Sequence, residues 1–121
     1  MSAPDAAAFA HEWTTAWNAR DVERVLRHVA DDVVFTSPLA ARFAPESGGT
    51  VRGKDALRRY WTVALESHPD LHFELIDVYS GVDTIVLHYR NEAEALIAEV
   101  FTFRAGRVVS GHATHQHRRD P

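Results

Sequence analysis

One acidic residue, Glu99, stands in the middle of a segment that otherwise has the pattern of a buried strand. Successive side chains of an extended chain point to opposite faces of a sheet, so Ile97, Glu99, Phe101 and Phe103 share one face. A carboxylate among apolar neighbours must be paired, be protonated, or line a wet cavity. The pattern therefore predicts a small-molecule pocket with Glu99 in its wall.

Histidines near the end of the chain form a second group of side chains with possible chemistry. His115 and His117 fall on one face of the predicted last strand and His112 on the other, and no carboxylate accompanies them. This arrangement does not favour a metal site, and none is predicted. His88 lies on the hairpin partner of the Glu99 strand, but one residue of turn length decides which face it takes.

Helices are predicted in the first half of the chain. Apolar residues recur at helical spacing over residues 9–17 and 22–29, and Asp31-Asp32 is predicted to end the second helix. Lys54 or Asp55 opens a third helix, whose apolar stripe runs to Leu65. Between the second and third helices, residues 33–36 predict a short strand stopped by Pro38, and residues 39–53 predict a loop.

The second half of the chain is a series of strand patterns separated by short turn signals. The predicted strands are Leu71–Tyr79, Thr84–Arg90, Ala95–Arg104 and Arg107–Gln116. Such short connections make consecutive antiparallel hairpins. Helices followed by a run of strands predict an α+β architecture with the helices on one face of the sheet.

The amino-acid composition argues against several classes of function. The chain has 121 residues, of which 45% are hydrophobic and 25% charged, as expected for one globular domain. A net charge of -4 with scattered basic residues argues against a nucleic-acid partner. Cysteine is absent, which excludes disulfides and thiolate ligands. No apolar run is long enough for a membrane span and no signal peptide is apparent, so the cytoplasm is expected.

Four short motifs occur in one order along the chain. They are Trp17-Asn18-Ala19-Arg20-Asp21, Val29-Ala30-Asp31-Asp32-Val33-Val34-Phe35, Val51-Arg52-Gly53-Lys54-Asp55-Ala56-Leu57 and Glu99-Val100-Phe101-Thr102-Phe103-Arg104-Ala105-Gly106-Arg107-Val108. This order resembles the nuclear transport factor 2-like superfamily, especially its SnoaL-like (polyketide cyclase-like) and ketosteroid isomerase-like branches. The resemblance covers residues 5–116 and implies a single SnoaL-like domain over residues 1–121.

The resemblance implies a cone-shaped, curved, mostly antiparallel sheet around a pocket that three N-terminal helices close. Members of the superfamily include isomerases, dehydratases, epoxide hydrolases, cyclases and non-catalytic binding modules, so the fold alone does not fix the activity. Many members pair as homodimers through the outer sheet face. Several strands of this chain carry apolar residues on both faces, which fits a second covered face.

The resemblance also assigns roles to individual residues. Glu99 aligns with the pocket carboxyl of ketosteroid isomerase-like enzymes, which donates a hydrogen bond to a developing oxyanion. The proton-shuttling aspartate of those enzymes falls on Ser37, and two of their tyrosines fall on Trp13 and Trp61. Steroid isomerisation by that mechanism is therefore not expected. His115 is turned toward the pocket and is a possible proton-transfer partner of Glu99.

These observations predict a cofactor-independent acid/base enzyme for a small cyclic or polyketide-like molecule. Glu99 is the predicted acid or base and His115 its partner. The predicted ligand-binding residues are Trp13, Trp17, Phe35, Ser37, Tyr60, Trp61, Phe73 and Phe101. The alternative is a non-catalytic ligand-binding or dimerisation module. A cavity in which Glu99 meets His115 or Ser37 favours the enzyme, whereas a filled core or an arginine-paired carboxylate favours the module.

Overall fold

Four helices precede most of the sheet in the computed structural model, which describes residues 3–117. They are α1 (Ala6–Asn18), α2 (Val22–Leu26), α3 (Pro38–Phe43) and α4 (Lys54–Ser67). Side chains cap the first three: Asp5, Asp21 and Ser37 each accept a backbone N–H two or three residues further on. Within residues 3–117, no helix is long and apolar enough to cross a membrane.

Six strands form one curled, unclosed sheet. They are β1 (Val29–Thr36), β2 (Thr50–Arg52), β3 (Glu74–Gly81), β4 (Thr84–Arg90), β5 (Leu96–Arg104) and β6 (Arg107–His115). Their order is β2-β1-β6-β5-β4-β3, and every neighbouring pair is antiparallel except β1 and β6. The predicted α+β class with a mixed, cone-like sheet is confirmed.

Two local predictions were wrong. The segment predicted as a loop over residues 39–53 contains α3, a 3-10 turn (Pro45–Ser47) and β2. Pro38 ends β1 as expected, but it also occupies the first turn of a helix, where proline is tolerated and Ser37 supplies the cap. The second helix ends at Leu26, and Asp31 and Asp32 lie exposed within β1, because this strand begins earlier to pair with β6.

The core lies between the helices and the concave face of the sheet. Alternate residues of β4 and β5 point into it, so that Ile85, Leu87 and Tyr89 face Phe101, Glu99 and Ile97 across the strand pair. Aromatic rings fill much of the space: Trp13 packs on Phe101 with ring centroids 4.7 Å apart. The sequence pattern on β5 therefore points Glu99 inward, as predicted.

A glycine on β6 makes room for part of this packing. A Cβ on Gly111 would lie 2.7 Å from one ring carbon of Phe35 and 3.4 Å from a ring carbon of Phe101. Without a side chain at this position, both phenylalanine rings lie directly against the sheet backbone.

Two polar side chains hold the helices to the loop that leads into β3. The Asn18 amide donates to the Phe73 carbonyl at 2.9 Å and accepts from the Phe73 N–H at 2.8 Å. Arg20, with φ 60°, donates to the carbonyl oxygens of Leu65 and His68 at the end of α4. These contacts satisfy carbonyl groups left open at a helix end and position one wall of the cavity.

Candidate functional site

A cavity of about 390 Å³ lies between the concave sheet face and the helices. Six of the residues predicted from the sequence line it: Trp17, Ser37, Trp61, Phe73, Glu99 and His115. Its lining also includes Leu39, His68, Leu71, Tyr89, Asn91 and Glu92, which the sequence analysis did not single out. The volume suits a small organic molecule, and most of the wall is apolar or aromatic.

Glu99 is the buried acid of this cavity. Only 4% of the residue is exposed, and the Tyr89 hydroxyl donates a hydrogen bond to its Oε1 at 3.1 Å. Burial raises the pKa of Glu99 from 4.5 to about 7, and the hydrogen bond from Tyr89 limits the rise. A carboxyl group with this pKa exchanges protons readily at neutral pH.

The register between β4 and β5 places the Tyr89 side chain next to that of Glu99. Leu87 lies opposite Glu99 and Tyr89 lies opposite Ile97, so Tyr89 is the diagonal neighbour of Glu99 on the same sheet face. Burial raises the pKa of Tyr89 well above its usual value, and the nearby Glu99 charge acts in the same direction. Tyr89 therefore stays protonated and remains a donor to the carboxyl group.

Tyr89 is the cavity residue bonded to Glu99 that the sequence analysis missed. The sequence does contain a pattern that indicates its direction. Alternate residues of the segment 84–90 are apolar or aromatic, which puts Tyr89 on the same sheet face as Ile85 and Leu87. Whether that face meets Glu99 depends on the pairing of β4 with β5, which the pattern within one strand does not fix.

Trp13 adds a second donor beside Glu99. Its side chain is fully buried, and its indole N–H has no hydrogen-bond partner within residues 3–117. The N–H lies close enough to the carboxyl group to lower the pKa of Glu99, although the geometry falls short of a hydrogen bond.

Ser37 and Tyr60 form a separate polar pair near the cavity. The Tyr60 hydroxyl donates to Ser37 Oγ at 3.4 Å, and Ser37 Oγ also accepts the Leu39 N–H at 3.1 Å to cap α3. Burial raises the pKa of Tyr60, and the contact with Ser37 partly offsets this. Ser37 is therefore a hydrogen-bonding group of the lining and not an activated nucleophile.

His115 lies at the rim of the cavity on β6. It pairs with Ile97, two positions along from the Glu99–Ala113 pair, so it is on the same face as Glu99 but nearer the mouth. Its partial burial lowers the pKa of His115, which keeps the ring neutral near pH 7. A ligand that fills the cavity would touch both groups.

The other four predicted site residues lie in the packed core beside the cavity. Trp13, Phe35, Tyr60 and Phe101 are each at most 7% exposed and are absent from the cavity lining. Aromatic contacts explain this, because Trp13 packs on Phe101 and Trp61, and Phe35 packs on Trp61. They pack in the core against residues that line the cavity. That they contact a ligand remains a prediction.

The remaining histidines of interest face away from the cavity. His88 lies on the outer sheet face opposite Ala98, with its Nδ1 3.9 Å from Asp77 Oδ2, which settles its orientation. His112 also faces outward, and its Nδ1 lies 2.7 Å from Thr36 Oγ1. Over residues 3–117, no group of three or more His, Asp or Glu side chains is arranged to hold a metal ion.

Comparisons with known proteins identify a matching family and structures with the same fold. Residues 10–118 match the family described as a SnoaL-like domain. A crystal structure of a SnoaL-like protein of unknown function from Burkholderia thailandensis is 39% identical, with a TM-score of 0.88 over 97% of this chain and 100% of the other. No curated protein is significantly similar to the chain.

More distant structures share the fold. A putative polyketide cyclase from Sinorhizobium meliloti is 15% identical, with a TM-score of 0.74 over 88% of this chain and 94% of the other. TerC, co-crystallised with polyporic acid, is 13% identical, with a TM-score of 0.75 over 91% of this chain and 90% of the other. The family match spans most of the sequence, and the chain belongs to the SnoaL-like domain family.

Proposed function

We propose that this protein is a cofactor-independent acid/base enzyme that acts on a small ring-bearing molecule. The observation that carries the proposal is Glu99, a buried carboxyl group with a pKa of about 7 in the wall of a 390 Å³ cavity. The reaction class is proton transfer, leading to isomerisation, cyclisation, dehydration or hydrolysis. The likeness in fold to a putative polyketide cyclase, and to a protein crystallised with polyporic acid, supports an organic ligand.

Each lining residue has a role in the proposed reaction. Glu99 removes a proton from the bound molecule and returns it at another atom. Tyr89 holds the carboxyl group in place through Oε1, leaving the other oxygen for the ligand. Trp17, Trp61 and Phe73 orient the ring against flat apolar surfaces, and neutral His115 at the rim exchanges a second proton.

Deuterium exchange tests proton transfer without knowledge of the net reaction. A panel of cyclic ketones, enones and phenols is incubated with the protein in D2O, and mass gain at carbon is followed. We expect catalysed exchange on at least one compound, and a fall of about 10²- to 10⁴-fold in the Glu99→Gln variant, since general base catalysis contributes this much.

A matched variant separates catalysis from a general effect of losing a carboxylate. Glu66 is exposed on α4, away from the cavity, so Glu66→Gln makes the same chemical change at the surface. We expect this variant to retain the exchange rate. Exchange that survives Glu99→Gln nearly intact would show that Glu99 is neither acid nor base.

A non-catalytic binding module is the second candidate function. One observation favours it: Ser37 Oγ already interacts with Tyr60 and Leu39, so Glu99 is the one buried side chain of the cavity lining that titrates near neutral pH. Compounds that bind in the cavity but show no catalysed exchange across the panel would establish this function.

We also propose that two copies of the chain pair through the outer sheet face. Tyr79 on β3 is 55% exposed and Ile76 is 37% exposed. Tyr79 lies opposite Val86, which itself pairs with Val100, so an apolar row crosses three strands. Sedimentation should report a dimer that Tyr79→Asp dissociates. A monomeric wild-type protein would contradict this pairing.

A further inference from the structure

The cavity lining carries acidic side chains and histidines but, within residues 3–117, no permanently cationic side chain. Its lining contains two carboxyl groups, Glu99 and Glu92, and no lysine or arginine among the described residues. His115 has a lowered pKa, and Nδ1 of the other lining histidine, His68, donates to the Ala64 carbonyl at 2.9 Å. A bound carboxylate or phosphate would therefore lose its hydration without gaining a lysine or arginine partner from the described lining.

Four of the lining side chains form a continuous aromatic wall. The ring centroids of Trp17 and Trp61 are 5.1 Å apart, those of Trp17 and Phe73 are 5.8 Å apart, and those of Phe73 and Tyr89 are 4.4 Å apart. The faces of such rings attract cations, most strongly where water is excluded. The wall is thus suited to a positive charge as well as to an apolar body.

The Glu99 carboxyl group has capacity for one more strong hydrogen bond from the cavity. Tyr89 donates to Oε1, and no other side chain within residues 3–117 donates to the group with hydrogen-bond geometry. Hydrogen bonds between an ammonium group and a carboxylate are short and about twice as strong as neutral ones. The free oxygen is therefore the natural partner of a charged N–H donor.

We infer that the cavity binds a small primary or secondary amine in its protonated form, with the ammonium group on Glu99 and its ring or alkyl body against Trp17, Trp61 and Phe73. The inference rests on the proposed function, because it names the ligand class of the same site. The cavity volume of 390 Å³ is near the small end for ligand pockets, which favours a body of one or two rings.

The inference predicts a particular pH dependence of binding. An alkylammonium, which like a lysine side chain has a pKa of about 10, stays charged between pH 6 and 8. Glu99, with a pKa of about 7, changes from mostly protonated to mostly ionised over this range. Amine affinity should therefore rise about tenfold from pH 6 to pH 8, whereas a neutral hydrogen-bond acceptor should bind less tightly as the pH rises.

Several other groups face Glu99 and could alter this profile. Tyr89 on β4 and Tyr60 on α4 have raised pKa values and stay neutral in this range. Trp13 on α1 does not titrate, and His115 on β6 has a lowered pKa. Glu92 at the mouth is exposed and adds a second acidic side chain that attracts a cation.

Three compounds on one ring system test the inference by calorimetry at pH 7.5. They are 2-aminoindane, 2-indanol and indane-2-carboxylate, which share one ring system and carry a cationic, a neutral and an anionic substituent respectively. We expect the amine to bind at least tenfold more tightly than the alcohol, and the carboxylate to show no binding. In Glu99→Gln the amine should fall to the level of the alcohol, whereas Glu66→Gln should leave all three unchanged.

A second variant tests the aromatic wall independently of the carboxyl group. Phe73→Leu keeps an apolar side chain but removes a ring face, so it should weaken the amine severalfold more than the alcohol. If the alcohol binds as tightly as the amine, the inference is wrong while the proposed acid/base function stands. If none of the three compounds binds, the inference also fails. The deuterium exchange assay then decides separately whether the proposed function survives.

Discussion

Replacing Glu99 with glutamine should remove a loss of stability that the wild-type protein suffers as the pH rises. The folded state raises the pKa of Glu99 from 4.5 to about 7, so it holds a proton that the unfolded chain has released between these values. The folded protein therefore loses stability as the pH rises through this window, and the loss is complete above pH 7. Glutamine has nearly the same shape and does not titrate.

The size of the effect follows from the two pKa values. A difference from 4.5 to about 7 corresponds to about 3 kcal/mol of unfolding free energy. Between pH 5 and pH 8.5 most of this difference develops, so the variant should gain about 2 to 3 kcal/mol relative to the wild-type protein. For a chain of this length, the gain corresponds to roughly 10 °C in Tm.

The assay is urea unfolding of both proteins at several pH values, with the difference between them as the readout. His115 contributes in the opposite direction, since its pKa is lowered in the folded state and its contribution is lost on acidification. This contribution is common to both proteins and cancels in the difference. Glu66→Gln serves as the matched surface control and should show no such trend.

One result would refute the reasoning. If the stability difference between Glu99→Gln and the wild-type protein is the same at pH 5 and pH 8.5, Glu99 does not carry a raised pKa in the folded state. The acid/base proposal would then lose its main support, because an ordinary carboxylate is fully ionised at neutral pH and is a weak base.

Three further variants test the surroundings of the cavity. Tyr89→Phe removes the donor to Glu99 and should raise the pKa of that carboxyl group by about one unit, measured by ¹³C NMR titration; an unchanged pKa would contradict the role given to the hydrogen bond. Asn18→Ala loses both bonds to the Phe73 backbone and should cost about 1 to 3 kcal/mol in urea unfolding, and a cost near zero would show that the contact does not hold the wall. Gly111→Ala places a Cβ 2.7 Å from a buried phenylalanine ring on β1 and should cost about 1 to 3 kcal/mol, unless the ring moves freely, in which case the variant unfolds like the wild type.

Much of the fold follows from local patterns in the sequence. The bounds of β4 and α4 agree with the prediction to within a residue or two, because apolar periodicity marks their buried faces clearly. The segment 39–53 was harder to predict. Its short helix and short strand each bury few residues, so breaker residues such as Pro38 and Gly48 dominate the pattern there.

The residues of the candidate site likewise include some that the sequence predicted correctly and some that it did not. Alternation along one strand was enough to put Glu99 on the inner face, and helical spacing was enough to put Trp17 and Trp61 there. The same reasoning also selected Trp13 and Phe101, which pack against each other and do not reach the cavity. Periodicity gives the direction of a side chain but not what already fills the space in front of it.

The sequence by itself determined that this chain folds as helices on one face of a sheet with one acid turned inward, because strand and helix periods are properties of consecutive residues. The tertiary structure decided that the acid meets the Tyr89 hydroxyl and a cavity of 390 Å³. The Tyr89 contact depends on the register between β4 and β5, and the cavity on the summed volume of side chains from helices and strands far apart in the chain. Long-range pairing and packing fix both, and no short stretch of sequence contains them.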